Sequence, residues 1–194
     1  MSKVRFRKIL DEDRLADFHK KFCLGIKYEV PINYLRSGNC YGLFVDDKIV
    51  AGICSVHQHA LYPRSLKQIP CFSYISYKKD FILSLAEITG YFIEDKAYAF
   101  RFTMHLFRIF LFHPAKNFVY SYPVDQKRLS KYYAKGKPIT IYSGKPVKIE
   151  GHPDDLPPEN VEILTKWGIF RIFLHRTLKY LRLSNVNWTA HKSR

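Results

Sequence analysis

Stretches in which apolar and polar positions alternate are interspersed along this chain with stretches in which apolar positions recur every three to four residues. Alternation is typical of half-buried strands, and the longer spacing is typical of helices that bury one face. The pattern predicts, in chain order, a strand at 4–10, a helix at 11–22, a hairpin at 40–56, a strand at 85–93, a helix between Lys96 and Pro114, a strand at 117–122, a helix at 125–135, a hairpin of 139–142 with 146–149, and a helix at 159–183. Strands and helices therefore both contribute to the fold.

The segment Leu85–Arg108 is the most informative of these stretches. It reads as a buried strand, a short turn that carries Lys96, and a long helix, with the carboxylate of Glu87 inside the apolar strand. A helix that starts where a strand stops presents unpaired backbone N–H groups, and proteins bind phosphate at such positions. A carboxylate upstream on that strand would lie near whatever the phosphate carries. The arrangement favours transfer chemistry from a phosphate-bearing donor.

Composition bounds the class of protein and its partners. The chain has 194 residues, enough for one domain with a core, and 47% of them are hydrophobic. Its formal net charge is +15, which attracts nucleic acid, acidic proteins, phosphorylated cofactors or anionic lipid. Nucleic acid is disfavoured, because the aromatic residues occupy apolar periodic positions and are not interleaved with Lys and Arg.

Cysteines and the N-terminus indicate a cytoplasmic protein without metal. The four cysteines show no CxxC spacing, which predicts neither a disulfide framework nor a zinc knuckle. No apolar signal region follows the N-terminus, and arginines interrupt the longest apolar runs well short of a membrane span. His57 and His59 lack a nearby Cys or carboxylate, so we predict no metal site.

Three local patterns resemble the GNAT superfamily of N-acyltransferases: the hairpin GLFVDDKIVAGICSV, the strand LAEITGYFI, and the segment VDQKRLSKYYAKG followed by ITIYSG. The resemblance implies an α/β fold with a mixed, mostly antiparallel central sheet flanked by helices. It covers roughly residues 4–149. We therefore expect a GNAT-like acyltransferase domain at 1–150. Residues 151–194 are expected to form a linker and an extra amphipathic C-terminal helix that packs on the same domain.

The resemblance also implies roles for individual residues. Glu87 corresponds to the general base and Tyr132 to the general acid that protonates a departing thiolate. Backbone amides of Phe92 and Ile93 would bind the pantetheine arm of the donor. Acceptor-side polar contacts would come from His57, Gln58 and Tyr133. The phosphate-binding loop would consist of Lys96, Ala97, Tyr98, Ala99, Phe100 and Arg101.

The phosphate loop departs from the superfamily pattern, in which a basic or amide residue precedes two small residues. Lys96 keeps the basic first position and Ala99 is small, but Arg101 replaces the last small residue. Glycine at such positions lets the backbone approach a pyrophosphate closely. A single phosphate, as on the phosphopantetheine arm of an acyl carrier protein, needs less from this loop.

The donor predicted by the resemblance is acyl-CoA or an acyl-phosphopantetheine. An acidic acyl carrier protein would suit the basic surface, and a fatty acyl chain would suit the aromatic content. The segments RSLKQIP and AEITGYF are similar to enzymes that make long-chain N-acyl amino acids or lipidate peptides. The acceptor is then an amino acid or a peptide side chain. Two alternatives stay open: an acetyl-CoA-dependent N-acetyltransferase, and a non-catalytic basic module. The helix at 159–183 could cover the sheet, or could dock a carrier protein, a peptide or a membrane surface.

Overall fold

A computed structural model describes residues 2–26, 29–57, 63–70 and 84–192, with side chains up to residue 181. The strands are β1 (Val4–Lys8), β2 (Asn39–Val45), β3 (Lys48–Val56), β4 (Leu85–Ile93), β5 (Asn117–Pro123), β6 (Ile139–Gly144) and β7 (Glu159–Thr165). The helices are α1 (Glu12–Ile26), α2 (Ile32–Arg36), α3 (Arg64–Lys67), α4 (Ala99–Phe112), α5 (Lys127–Tyr133) and α6 (Lys166–Lys192). Single 3₁₀ turns, Lys96–Tyr98 and Ala134–Gly136, precede α4 and follow α5.

These strands form one seven-stranded sheet in the order β1-β2-β3-β4-β5-β7-β6. Every neighbouring pair is antiparallel except β4 and β5, which are parallel. The expected α/β fold, with a mixed and mostly antiparallel sheet, flanking helices and a C-terminal helix, is confirmed.

The hairpin of β2 and β3 forms as the sequence predicts. Asp46 and Asp47 connect the strands, with φ angles of 47° and 65°. Two consecutive residues with positive φ give a turn whose twist matches that of antiparallel strands, and aspartate tolerates this conformation better than most side chains. The turn fixes the register that places Cys40 opposite Cys54.

The end of the sheet differs from the prediction. Residues 139–142 were expected to pair with 146–149, but β6 pairs with β7 instead. The helix expected at 159–183 begins only at Lys166, because Glu159–Thr165 form a strand inserted between β5 and β6. Glu159 and Glu162 suggest a solvated helix face, yet both are buried. Their side chains accept hydrogen bonds from Gln68 and from Tyr120 and Tyr122 respectively, which offsets the cost of burying them.

The two faces of the sheet carry different helices. Phe18 of α1 and Leu35 of α2 pack with Cys54 and Val56 of β3 on one side, which we call the α1 face. On the other side, the α4 face, Phe102 and Phe110 of α4 pack with alternate residues of β2, β3 and β5. Every second residue of a strand therefore points to each face, and the face decides which residues can share a site.

Helix α6 lies antiparallel to α4. The rings of Phe107 and Phe173 stack with centroids 4.1 Å apart, and those of Phe100 and Tyr180 stack at 4.0 Å. Although α6 is the longest helix, no helix within the described ranges is long and apolar enough to cross a membrane. Helix α6 thus covers α4 along its length.

Candidate functional site

Strands β4 and β5 separate in the middle of the sheet. They pair only from Leu85 to Glu87 on β4, and beyond that point β4 continues to Ile93 beside β3 alone. Within the described part of the chain, the second half of β4 has no ladder partner on its β5 side. The N–H of Glu94 donates to the carbonyl of Val50 on β3 (2.9 Å). Backbone N–H groups alternate in direction along a strand, so the N–H of Phe92 also faces β3 and the N–H of Ile93 faces the open side.

A β-bulge accompanies this separation. Thr89 lies opposite Cys54 and Phe92 lies opposite Gly52, so two residues of β4 oppose one residue of β3. Gly90 holds the left-handed conformation of the bulge, with φ of 66°. The extra residue changes the alternation, and Tyr91 joins Ile88 on the α4 face. A glycine inside an apolar strand is the sequence signal for such a bulge.

A cavity of about 270 Å³ opens on the α4 face beside the separated strands. Its walls come from β3, β4, α4, α5, β7 and α6, and they are apolar and aromatic except at a few positions. We call it the aromatic cavity. Its volume is close to the lower end of the range for small-molecule sites, roughly 300–1,000 Å³. Representative lining residues are Ile88, Leu106, Phe107, Leu129, Ile172 and Phe173.

Polar groups of the aromatic cavity gather at one end, where Tyr91, Tyr132, Tyr133 and Arg176 line it. Arg176 Nη1 donates to the Tyr132 hydroxyl (3.5 Å), and its guanidinium lies 5.9 Å from the centre of the Tyr132 ring. Burial lowers the pKa of Arg176, but the Tyr132 and Tyr91 hydroxyls outweigh it and the pKa is raised overall. Burial raises the pKa of Tyr133, and Tyr91 and Tyr132 raise it further. Arg176 therefore stays charged and the Tyr133 hydroxyl stays neutral.

A buried carboxylate lies behind these tyrosines. Glu162 of β7 accepts hydrogen bonds from the hydroxyls of Tyr120 (2.8 Å) and Tyr122 (2.9 Å) and from Thr140 (3.3 Å). Tyr133 packs on both tyrosine rings, with centroids 4.4 Å from Tyr120 and 5.5 Å from Tyr122. Burial raises the pKa of Tyr120, and the charge of Glu162 adds to that. The cluster connects Tyr133 of α5, which lines the aromatic cavity, to strands β5 and β7 behind it.

Glu87 lies on the opposite face of the sheet from the aromatic cavity. Its Oε2 accepts hydrogen bonds from the Tyr34 hydroxyl and from the N–H of Arg64 (2.6 Å). Its Oε1 accepts from the N–H of Ser65 (3.2 Å) and from the Ser65 hydroxyl (2.7 Å). Burial raises the pKa of Glu87, and these hydrogen bonds partly offset the effect. A carboxylate has about four lone-pair sites, so all of them are occupied. Glu87 could act as a base only after breaking one of these contacts.

The predicted phosphate loop is helical. Lys96–Tyr98 form the 3₁₀ turn and Ala99 begins α4. The carboxylate of Asp95 accepts from the N–H of Ala97 (2.8 Å), so an anion already caps this end of the helix. Arg101 is exposed and donates to the carbonyl of Val4 (3.4 Å). The remaining loop residue, Phe100, is covered by Tyr180. A phosphate here would have to compete with Asp95.

His57 lies at the end of β3, away from the aromatic cavity and beside His113, with ring centroids 5.4 Å apart. His113 Nδ1 accepts from the N–H of Ala115 (3.1 Å) and Nε2 lies 2.8 Å from Ser55 Oγ. Burial lowers the pKa of His113 to about 4, and His57 contributes to the shift. The ring is therefore neutral with its proton on Nε2. Gln58 lies outside the described residues.

The structure thus separates residues that the sequence placed in one site. Tyr132 and Tyr133 meet at the aromatic cavity, whereas Glu87 and the acceptor-side candidate His57 do not line it. Sequence reasoning missed two of the cavity's polar groups, Tyr91 and Arg176. Tyr91 could have been found from the bulge that Gly90 signals. Arg176 was noted only as one of the arginines that interrupt the apolar runs, and no local signal marks it as a cavity residue. No group of three or more possible metal ligands occurs among the described residues.

The chain has a GNAT-like N-acyltransferase fold, because solved structures of such enzymes match it over most of its length. Among solved structures, the fold is similar to that of FeeM, an N-acyl amino acid synthase from uncultured soil microbes. The match has 15% identity over 86% of this chain and 94% of that chain, with a TM-score of 0.58. A probable acetyltransferase from Staphylococcus epidermidis matches at 13% identity over 84% and 99% of the two chains, with a TM-score of 0.53. Spermidine N-acetyltransferase from Vibrio cholerae matches at 8% identity over 84% and 94%, also at 0.53.

No protein-family model matches the chain, and no curated protein matches it by sequence. Identities of 8–15% establish a shared fold and leave the reaction to be argued from the site.

Proposed function

We propose that this protein is an N-acyltransferase that moves a fatty acyl group from a phosphopantetheine thioester to a primary amine. The observation that carries the proposal is the separation of β4 and β5 beside the aromatic cavity. The open side of β4 offers the N–H of Ile93 to the amides of a pantetheine arm, as an added strand would be bound. The apolar walls next to it suit the acyl chain.

The size and lining of the aromatic cavity favour a chain longer than acetyl. A methylene group occupies about the volume of a water molecule, roughly 30 Å³ in the liquid. A cavity of about 270 Å³ therefore has room for a chain of several carbons. Each buried methylene contributes about 0.8 kcal/mol. An acetyl group would leave most of this apolar surface without a partner, which disfavours the acetyltransferase alternative.

In the proposed reaction the neutral amine attacks the thioester carbonyl, the C–S bond breaks and the acyl group forms an amide. Tyr132 is the proposed proton donor to the departing thiolate, because it lines the aromatic cavity and carries an ionisable hydroxyl. Glu87 is not assigned the base role, because its carboxylate already accepts hydrogen bonds from the backbone N–H groups of Arg64 and Ser65 in α3. An acceptor that arrives as the free amine needs no protein base before the attack, and the proton that its nitrogen loses as the amide forms passes through water to restore the Tyr132 hydroxyl.

The donor's carrier is proposed to be either coenzyme A or an acidic acyl carrier protein. The capped start of the α4 segment at Asp95 disfavours a bound pyrophosphate, and the net charge of +15 favours an acidic carrier. Helix α6 also exposes apolar side chains between basic ones on its outer face, notably Trp167, Leu174 and Leu178. Such a face could contact a carrier protein or a membrane surface.

The test offers the protein acetyl-CoA, decanoyl-CoA and a decanoyl carrier protein, each with a mixture of amino acids and a lysine-containing peptide. Mass spectrometry detects the N-acyl product, and a thiol reagent detects the released carrier. We expect product from a decanoyl donor and little from acetyl-CoA. Product from acetyl-CoA alone would select the acetyltransferase. Donor binding without any product would select a non-catalytic module, for which the occupied lone pairs of Glu87 are the favouring observation.

A further inference from the structure

Arg176 is a partly buried cation with no acidic neighbour in the cavity. Among the residues that the structure describes, no Asp or Glu lines the aromatic cavity, and no ion pair includes Arg176. More exposed cations do have carboxylate partners, such as Arg36 with Glu12 at 2.7 Å. A cation that lies against apolar walls attracts an anion more strongly than one surrounded by water, because solvent screens it less.

Neutral groups occupy only part of the hydrogen-bonding capacity of Arg176. The Tyr132 hydroxyl accepts one hydrogen bond, and the Tyr91 hydroxyl is a second hydrogen-bonding neighbour that also raises the pKa of Arg176. A guanidinium has five N–H donors in a planar fork that matches a carboxylate or a phosphate. The guanidinium lies against the Tyr132 ring, 5.9 Å from its centre, and it lines the aromatic cavity together with Tyr91 and the apolar walls. An anion there could bind two donors at once.

We propose that Arg176 binds the anionic head group of a ligand whose apolar part fills the aromatic cavity. The ligand class is an acyl chain, or another apolar chain, that ends in a carboxylate or a phosphate. The identity of the head group rests on the proposed function: it is the free carboxylate of an acceptor amino acid, or the phosphate of the donor's phosphopantetheine. In the first case Arg176 selects amino acids over amines that lack a carboxylate.

The experiment compares pairs of ligands that differ in one charge, by isothermal titration at neutral pH. N-decanoylglycine is compared with N-decanoylglycinamide, and 4′-phosphopantetheine with pantetheine. We expect the wild-type protein to prefer the anion of one pair by about tenfold or more, as one charge-assisted hydrogen bond implies. Preference within the first pair identifies the acceptor's carboxylate, and preference within the second identifies the donor's phosphate. Equal binding within both pairs, or no binding, overturns the proposal.

Variants of one helix provide the controls. Arg176→Gln removes the charge and should abolish the preference while it leaves binding of the neutral partner. Arg176→Lys keeps the charge without the fork and should retain part of the preference. Arg171→Gln removes a cation that packs over Trp167 outside the cavity, and it should change nothing. A preference that persists in Arg176→Gln overturns the proposal, provided that thermal melting shows a folded variant.

Failure of this proposal is distinguishable from failure of the proposed function. Titration needs no turnover, so an anion preference that depends on Arg176 supports the site even where no thioester is consumed. Conversely, transfer to a simple alkylamine by a protein without any anion preference supports the acyltransferase and overturns the role of Arg176.

Discussion

Replacing Glu87 by glutamine separates a structural role from a catalytic one. In the native protein its two carboxylate oxygens accept from Tyr34, from the N–H of Arg64 and from both the N–H and the hydroxyl of Ser65. Glutamine keeps one acceptor oxygen and replaces the other by an NH₂ donor. The Ser65 hydroxyl can rotate to accept from that NH₂, but the backbone N–H of Ser65 cannot turn away.

The expected cost follows from these contacts. One buried N–H without an acceptor costs about 1–3 kcal/mol, and hydrogen bonds to a neutral amide are weaker than those to a carboxylate. Removing a charge that burial disfavours offsets part of this loss, because burial raises the pKa of Glu87. We expect Glu87→Gln to lower the free energy of unfolding by about 2–3 kcal/mol. Tyr34→Phe removes the donor to Glu87 and a second acceptor of the Arg64 N–H, which keeps Glu87 as its partner, and it should cost about 1 kcal/mol.

Urea unfolding measures the stability of both variants, and steady-state transfer from a decanoyl donor measures turnover per folded molecule. If Glu87 positions α3, Glu87→Gln loses stability and keeps turnover within about threefold of wild type at a temperature where it is folded. A general base would give the opposite result, because its loss reduces turnover by about 10²–10⁴-fold. A Glu87→Gln variant as stable as wild type and at least a hundredfold slower would refute our reasoning.

Three further predictions concern the rest of the molecule. Leu106→Trp fills the aromatic cavity and should reduce transfer from long-chain donors by about tenfold or more. The matched change Leu111→Trp, at a 46% exposed position on the same helix, should leave it unaltered in the same assay. Tyr132→Phe should lower turnover by about 10²-fold without a change in thermal midpoint, and equal turnover would remove Tyr132 from the acid role. His113 has its pKa lowered from 6.5 to about 4, so the unfolded state binds more protons between these values. His113 should therefore contribute up to about 3 kcal/mol of stability that is lost as pH drops through this window, and His113→Asn should reduce the slope measured by urea without abolishing it, because burial lowers the pKa of His152 in the same way.

The positions of most elements follow from the sequence because local rules govern them. The β-branched and aromatic residues of β4, the proline that follows α4 and the aspartates of the β2–β3 turn each specify a structure within a few residues. Asp11 precedes α1 and accepts from the N–H of Arg14 (3.0 Å), as an aspartate at a helix start commonly does. These features also carry the resemblance from which the fold class was predicted.

Strand β7 was misread because its environment is not local. Glu159 and Glu162 are compatible with a strand only because Gln68, Tyr120 and Tyr122 lie next to them in the folded sheet. Without those partners, two carboxylates among apolar residues indicate the polar side of a helix. Hydrogen bonds to residues distant in the chain therefore allow a strand where the local pattern indicates a helix.

The sequence by itself determined which groups are available: the cation surplus, the aromatic residues and the isolated carboxylate Glu87. Only the tertiary structure decided which of them share a face. The bulge at Gly90 aims Tyr91 at the cavity, and α6 adds Arg176 from a distant part of the chain. Glu87 points to the α1 face of the sheet, where its carboxylate accepts hydrogen bonds from the N–H groups of α3. The reason is physical: a side chain's face depends on pairing register and helix packing, and both are set by contacts between segments far apart in the chain.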